Sequence, residues 1–174
     1  HRVHSGGGWL TAEYSMLPGS SSHRIRRDRR GVKGRTAEIQ RLIGRSLRAG
    51  FDLDRLGPRT LHIDCDVINA DGGTRCASIT GSYIAAVLAL QKIAKQDLVA
   101  LVCPPSIAAF SVGIHQGQVV TDLCYLEDSS ADVDLDFVAC PTGIIEIEGT
   151  AEGVPFERAQ LDAMIDASLS GCER

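Results

Sequence analysis

Between Arg59 and Ala94 the hydrophobic pattern changes its period, and the change falls across two adjacent glycines, Gly72 and Gly73. In "RTLHIDCDVI" Leu61, Ile63, Cys65 and Val67 alternate with His62, Asp64 and Asp66, which predicts a strand over 59–68. From Arg75 to Ala94 the chain is rich in alanine and apolar nearly all round, which predicts a helix buried on several sides. A strand that hands over to a helix through Asp71-Gly72-Gly73-Thr74-Arg75 leaves backbone N–H groups without intrahelical partners. The helix dipole adds to them, and the glycines allow an anion close approach. Thr74 can donate a hydroxyl and Arg75 can grip two phosphate oxygens. The same residues also suit a plain tight turn with Arg75 as a surface cation. A Walker loop is excluded, because the G-K-[ST] ending is missing.

The other elements follow from the same rules. "GGGWLTAEYSML" at 6–17 reads as an extended segment, and 18–34 as a loop of Pro, Gly and Ser followed by a basic run. Thr36 is a candidate N-cap for a helix over 36–49, with Ile39, Leu42, Ile43 and Leu47 on one face and Gly50 as its stop. Arg35 stands just before that helix and places a second guanidinium at a second helix start. Strands over about 106–115 and 118–126 flank Gln116-Gly117 as a hairpin, and 133–140 pairs with 144–149 across Pro141-Thr142-Gly143. A last helix covers 156–170 through Leu161, Met164, Ile165 and Leu169. The sum is an α+β arrangement, with helices covering a largely antiparallel sheet.

At 174 residues the chain is long enough for a single domain, 1–174, and short for two. Its six cysteines never form a C-x-x-C pair, and most sit in apolar runs. They read as small buried hydrophobes in a reducing, cytoplasmic setting rather than as a disulfide or zinc framework. No stretch is expected to reach the roughly 20 apolar residues of a membrane helix, so no membrane partner is expected. Net charge is −4, but it is unevenly spread. Arg24, Arg26, Arg27, Arg29, Arg30, Lys33 and Arg35 stand against Asp28 alone, while acids gather at Asp128, Asp132, Asp134 and Asp136 and at Glu146, Glu148 and Glu152. Such separation suits a polyanion at one place and a cation at another.

In "EDSSADVDLDF" a strand from 133 would point Asp134 and Asp136 to one side and Val133, Leu135 and Phe137 to the other. Asp128 can fold back toward Asp134. Carboxylates held together want a cation or a shared proton; the bland alternative is a charged, solvated strand edge.

The motifs "GGGWLTAEYSMLP", "GRTAEIQRLIGRSLRA", "IDCDVINADGGTRCASITG", "EDSSADVD" and "EIEGTAEGVPF", in this order, resemble the RNase PH family of phosphate-dependent exoribonucleases. The resemblance runs from about Gly6 to Phe156, and the closing "GCER" is similar too. It implies a ribosomal protein S5 domain 2-like fold and a hexameric ring, a trimer of dimers. By position, it implies phosphate binding by Arg35 and by Gly73, Thr74 and Arg75. Asp128 and Asp134 are implied in catalysis and in holding Mg²⁺. The loop of Arg24, Arg26, Arg27, Arg29 and Arg30 is implied in contact with RNA, not DNA.

The implied activity is phosphorolysis. Inorganic phosphate, as co-substrate, trims the 3′ ends of tRNA precursors and other RNA and releases nucleoside diphosphates, reversibly. Against the family pattern, Asp136 stands for a usual asparagine, Glu148 for an uncharged residue, and only a few residues precede the "GWLTAEY" motif where relatives have several strands. The chain is therefore expected to be incomplete at its N-terminal side, with pairing edges and apolar surface exposed. An inactive RNA-binding ring subunit of exosome type, an inactive truncated paralogue, and a metal-dependent hydrolase using water are the competing readings.

Overall fold

The computed structural model describes residues 6–26, 31–32, 34–93, 99–100 and 102–173. β1 (Trp9–Met16) leads through α1 (Gly34–Gly50) to β2 (Thr60–Val67), and the two strands lie parallel from Trp9↔Thr60 to Met16↔Val67. A parallel pair needs such a crossover, and the helix supplies it. α1 buries the stripe expected of it: Ile39, Leu42, Ile43 and Leu47 are at most 1% exposed and pack with Leu10, Ala12 and Tyr14 of β1. The helix begins two residues earlier than the Thr36 cap predicts, so Arg35 lies in its first turn rather than ahead of it. At its far end Arg48 Nη1 donates to the Leu10 carbonyl at 3.0 Å, and the guanidinium lies 5.0 Å from the centre of the Trp9 ring.

α2 (Thr74–Ile93) follows the glycine turn. It corrects two expectations. By length and apolar composition it could span a bilayer, contrary to the sequence reading. It is also buried along one stripe only, Cys76, Ile79, Ser82, Ala86 and Leu90, while Ile84, Leu88 and Ile93 are more than half exposed. A groove of about 570 Å³ runs along β2 and the small residues Ala77, Gly81, Ala85 and Ala89 of α2. These are the exposed edge and apolar surface expected of a sheet of two strands.

A second sheet has the order β4-β3-β5-β6 and is antiparallel throughout. Its strands are β3 (Ala108–His115), β4 (Gln118–Thr121), β5 (Val133–Cys140) and β6 (Gly143–Ala151). Gln116 and Gly117 both have positive φ, 52° and 75°, the backbone of a tight hairpin turn. The predicted strand 118–126 stops at Thr121 because Asp122 turns to φ 56°. The chain then forms a short helical turn, α3 (Tyr125–Asp128).

β5 is central, not an edge, so its acids do not serve to protect an edge. One face of this sheet carries Val112, Ile114, Val133, Leu135 and Phe137, covered by Met164 of α4 (Arg158–Cys172). Its other face meets α2, and Val138 joins the first core. Ion pairing of Arg45 with Glu146 fastens α1 to β6.

Candidate active site

Gly72 has φ +77°, and a Cβ on it would fall 2.0 Å from the carbonyl oxygen of Leu123. Only glycine fits there. The turn before α2 therefore lies directly on the segment that enters α3, and Asp71 Oδ1 accepts the Tyr125 N–H at 2.9 Å across the same seam. Sequence position separates these segments by some fifty residues; the seam brings the glycine turn beside the acidic loop.

Around the seam lies a cavity of about 600 Å³. Arg35, Gly73, Thr74, Arg75, Asp128 and Asp134 all line it, so the six residues singled out for phosphate, catalysis and metal share one space. Arg24 of the basic loop lines it as well. Arg26 is exposed and does not, and Arg27, Arg29 and Arg30 lie outside the described residues. A neighbouring cleft of about 1120 Å³ shares Arg35, Arg75, Asp128 and Asp134 and extends toward Glu152 and Phe156.

The two arginines differ in state. Arg35 is exposed and has no ion pair among the described residues. Arg75 is held: Nη2 donates to Glu38 Oε2 at 3.0 Å, and Nη1 lies 3.5 Å from Asp136 Oδ2. Burial alone would pull its pKa down, but Asp136 and Glu38 outweigh that and raise it. Arg75 Nε and Glu38 Oε1 are buried with no partner among the described residues, so this clamp is not fully satisfied. Thr74 Oγ1 sits 2.9 Å from the Tyr14 hydroxyl.

Asp136 is 7% exposed; the Cys76 thiol donates to its Oδ1 at 3.1 Å, and burial pushes the thiol's pKa up. Burial also raises Asp136, while the Cys76 hydrogen bond and Arg75 oppose the rise. Asp134 is pushed up to about 6 by burial and by the charges of Asp136 and Asp128, with Arg75 pulling the other way. In register with Asp136 stands Glu148, itself raised by burial and by Glu38.

Sequence reasoning missed Glu38, which stands one helical turn after Arg35; that i,i+3 spacing was the available signal. It also missed Tyr14 and Cys76, whose partners are distant in sequence and leave no local mark. Among the described residues no three His, Cys, Asp or Glu side chains are gathered as a metal cage. Two carboxylates suit Mg²⁺ nonetheless, since that ion keeps several waters. The mutual repulsion that raises Asp134 is what a cation would relieve.

Residues 1–94 match the 3′ exoribonuclease family, domain 1, and residues 106–171 match its domain 2. The chain belongs to this family. Within it, the chain is 52% identical over 170 residues to ribonuclease PH of Bdellovibrio bacteriovorus, a match that covers 97% of this chain and 70% of that protein. The fold is that of rice (Oryza sativa) Rrp46, with TM-score 0.72 at 14% identity over 97% of this chain and 70% of the other. It is equally that of a chain of the Archaeoglobus fulgidus exosome solved with RNA bound to the active site: TM-score 0.74, 17% identity, 97% and 69% covered. The whole arrangement is thus the α+β, RNase PH fold expected; the β1–β2 pair, within the matched residues 1–94, is parallel and only the second sheet is antiparallel.

Proposed function

We propose that this chain is a phosphate-dependent 3′-to-5′ exoribonuclease that trims the 3′ ends of tRNA precursors and related RNA. One observation carries the reading: Arg35, the Gly73-Thr74-Arg75 turn, Asp128 and Asp134 line a single cavity. Cations at two helix starts on one side and a carboxylate pair on the other are what phosphoryl transfer asks of a protein, namely positioning and charge compensation.

Orthophosphate is held by Arg35, by main-chain N–H groups of the turn and by Arg75. Glu38 and Asp136 engage two of the five N–H donors of Arg75, so a phosphate oxygen exchanges for one carboxylate or takes a remaining donor. The unsatisfied donor and acceptor in that clamp lower the cost of the exchange. A phosphate oxygen attacks the phosphorus of the terminal phosphodiester and the bond to the 3′-oxygen breaks. That oxygen leaves as the hydroxyl of the new RNA end, taking the proton that hydrogen phosphate gives up on bonding to phosphorus, and the terminal nucleotide departs as a diphosphate. Asp128 and Asp134 would hold Mg²⁺, whose charge offsets that of the phosphoryl oxygens. Arg24, at the cavity wall, meets the RNA backbone together with the rest of its loop, so binding weakens steeply with salt. Assembly into a hexameric ring belongs to the same proposal.

The clamp on Arg75 is also what favours a second reading, a passive RNA-binding subunit whose phosphate cation is permanently neutralised. Labelled RNA incubated in Mg²⁺ with and without phosphate separates the possibilities. Diphosphates formed only with phosphate support phosphorolysis, monophosphates indicate hydrolysis, and intact RNA that is nevertheless bound indicates the passive subunit.

A further inference from the structure

Tyr125 is 61% exposed, in a chain with three tyrosines, and it lines the cavity of Arg35, Arg75 and Asp128. Water gains nothing from an aromatic face, so a ring left open at a reactive cavity invites a flat partner. Its backbone is fixed on both sides. The Tyr125 N–H is bound by Asp71, and α3 is capped by the Cys124 N–H donating to Glu127 Oε2 at 2.9 Å. Its hydroxyl has no hydrogen bond among the described residues. Tyr125 and Asp128 stand at i,i+3 on one helical turn, so they share a face with Cβ atoms roughly 5–6 Å apart. His23 is the other ring on the cavity wall, and its Nδ1 is engaged by Ser22 Oγ at 3.1 Å.

Taking the proposed phosphorolysis as given, we infer that the face of Tyr125 is the platform on which the base of the 3′-terminal nucleotide stacks. The nucleotide that leaves as a diphosphate must lie within the cavity, its phosphorus between the arginines and the aspartates. Its base then lies a ribose away, within the same cavity that Tyr125 lines one helical turn before Asp128. Stacking takes any base, because every base has a π face. Trimming therefore stays indifferent to sequence while still requiring a base.

The test uses the whole chain, saturating phosphate, and two oligoribonucleotides that differ only in a normal or an abasic 3′-terminal residue. Tyr125→Ala is expected to lower kcat/KM on the normal end by about 5- to 150-fold, the range of a lost base–aromatic stack. Tyr125→Phe stays near wild type, the KM for phosphate is unchanged, and on the abasic end wild type and Tyr125→Ala perform alike. An equal loss on both ends, no loss on either, or the loss appearing with His23→Ala instead overturns the inference. A second readout stands apart from catalysis. RNA ending in 2-aminopurine, added without phosphate, is quenched by wild type and not by Tyr125→Ala. Quenching in a protein that does not phosphorolyse would refute the proposed activity and leave the platform standing. RNA that binds with no Tyr125-dependent quenching would refute the platform alone.

Discussion

Two neighbouring glycines in the turn before α2 give a controlled comparison. Both have positive φ, +77° at Gly72 and +54° at Gly73, so alanine at either meets the left-handed backbone penalty of about 1–2 kcal/mol. Part of it, about 0.4–1 kcal/mol, is returned because alanine restricts the unfolded chain. There the likeness ends. The nearest atoms to a new Cβ at Gly73 are Ser111 Cβ at 3.7 Å and Asp122 Oδ1 at 3.9 Å, ordinary contacts. At Gly72 the Cβ would lie 2.0 Å from a backbone oxygen and 3.0 Å from the Cys124 carbonyl carbon, and no side chain can swing aside to relieve it. The seam must open, adding about 1–3 kcal/mol of overpacking strain. The Asp71–Tyr125 hydrogen bond goes with it, at about 1 kcal/mol.

Gly73→Ala should therefore lose about 1 kcal/mol and Gly72→Ala about 3–5 kcal/mol, a large part of a typical native stability. In thermal melts that means a drop of about 2–4 °C for the first variant and roughly 6–20 °C for the second. Phosphorolysis measured below both melting points should fall further in Gly72→Ala, since the turn no longer lies against the segment that enters α3. If the two variants melt together, or Gly72→Ala melts with wild type, the seam is not as described and the account of the site falls with it.

Other perturbations probe the charges. Asp134 keeps its proton in the fold up to about pH 6 but in the unfolded chain only to about 4, so the folded state binds more protons in between. Its contribution to stability is full below pH 4 and is lost as pH rises through 6; Asp134→Asn should melt above wild type at pH 7.5, with the difference closing toward pH 4. Asp136→Asn removes a charge 3.5 Å from Arg75 Nη1 while still accepting the Cys76 thiol. It should lower the KM for phosphate about fivefold, equivalent to about 1 kcal/mol, and a rise would contradict the clamp. Arg75→Ala should cut kcat/KM for phosphate by about 100-fold while RNA binding, read by filter retention, stays near wild type. Calorimetric titration of phosphate should show tighter binding with Mg²⁺ present, and Mg²⁺ should gain by the same factor when phosphate is added first.

The fold was legible wherever a period could be read locally. The β5 strand comes out at the predicted residues 133–140, and the α1 stripe of Ile39, Leu42, Ile43 and Leu47 is the buried one. The helical turn at Tyr125–Asp128 was not legible, because it depends on Asp122 adopting a positive φ and on a capping contact, neither of which has a hydrophobic period. The single buried face of α2 was hidden for a different reason: alanine fits both a core and a surface, so composition cannot say which side is covered. At the site, residue types pointed to an anion and a cation, and the cavity brings those residues together. What they could not indicate was that Arg75 is already paired, since Glu38 lies 37 positions away and Asp136 on another sheet.

That pairing bears on how the two halves of the molecule act as one. The glycine turn belongs to the core of β1, β2, α1 and α2, while Asp134 and Asp136 rise from the sheet whose other face is packed by α4. Each half alone carries an unfavourable charge: guanidiniums near helix starts on one side, neighbouring carboxylates on a mostly buried strand on the other. Bringing the halves together lets Arg75 offset part of the repulsion around Asp134 and Asp136, so the ion pair that restrains Arg75 also helps dock the sheets. Four carboxylates, Glu38, Asp128, Asp134 and Asp136, then surround two guanidiniums, and a phosphate dianion entering that field meets net negative charge. A divalent cation on the aspartates would cancel that excess. Under the proposed function, assembly of the site, admission of phosphate and occupation by a metal are three consequences of one arrangement of charge.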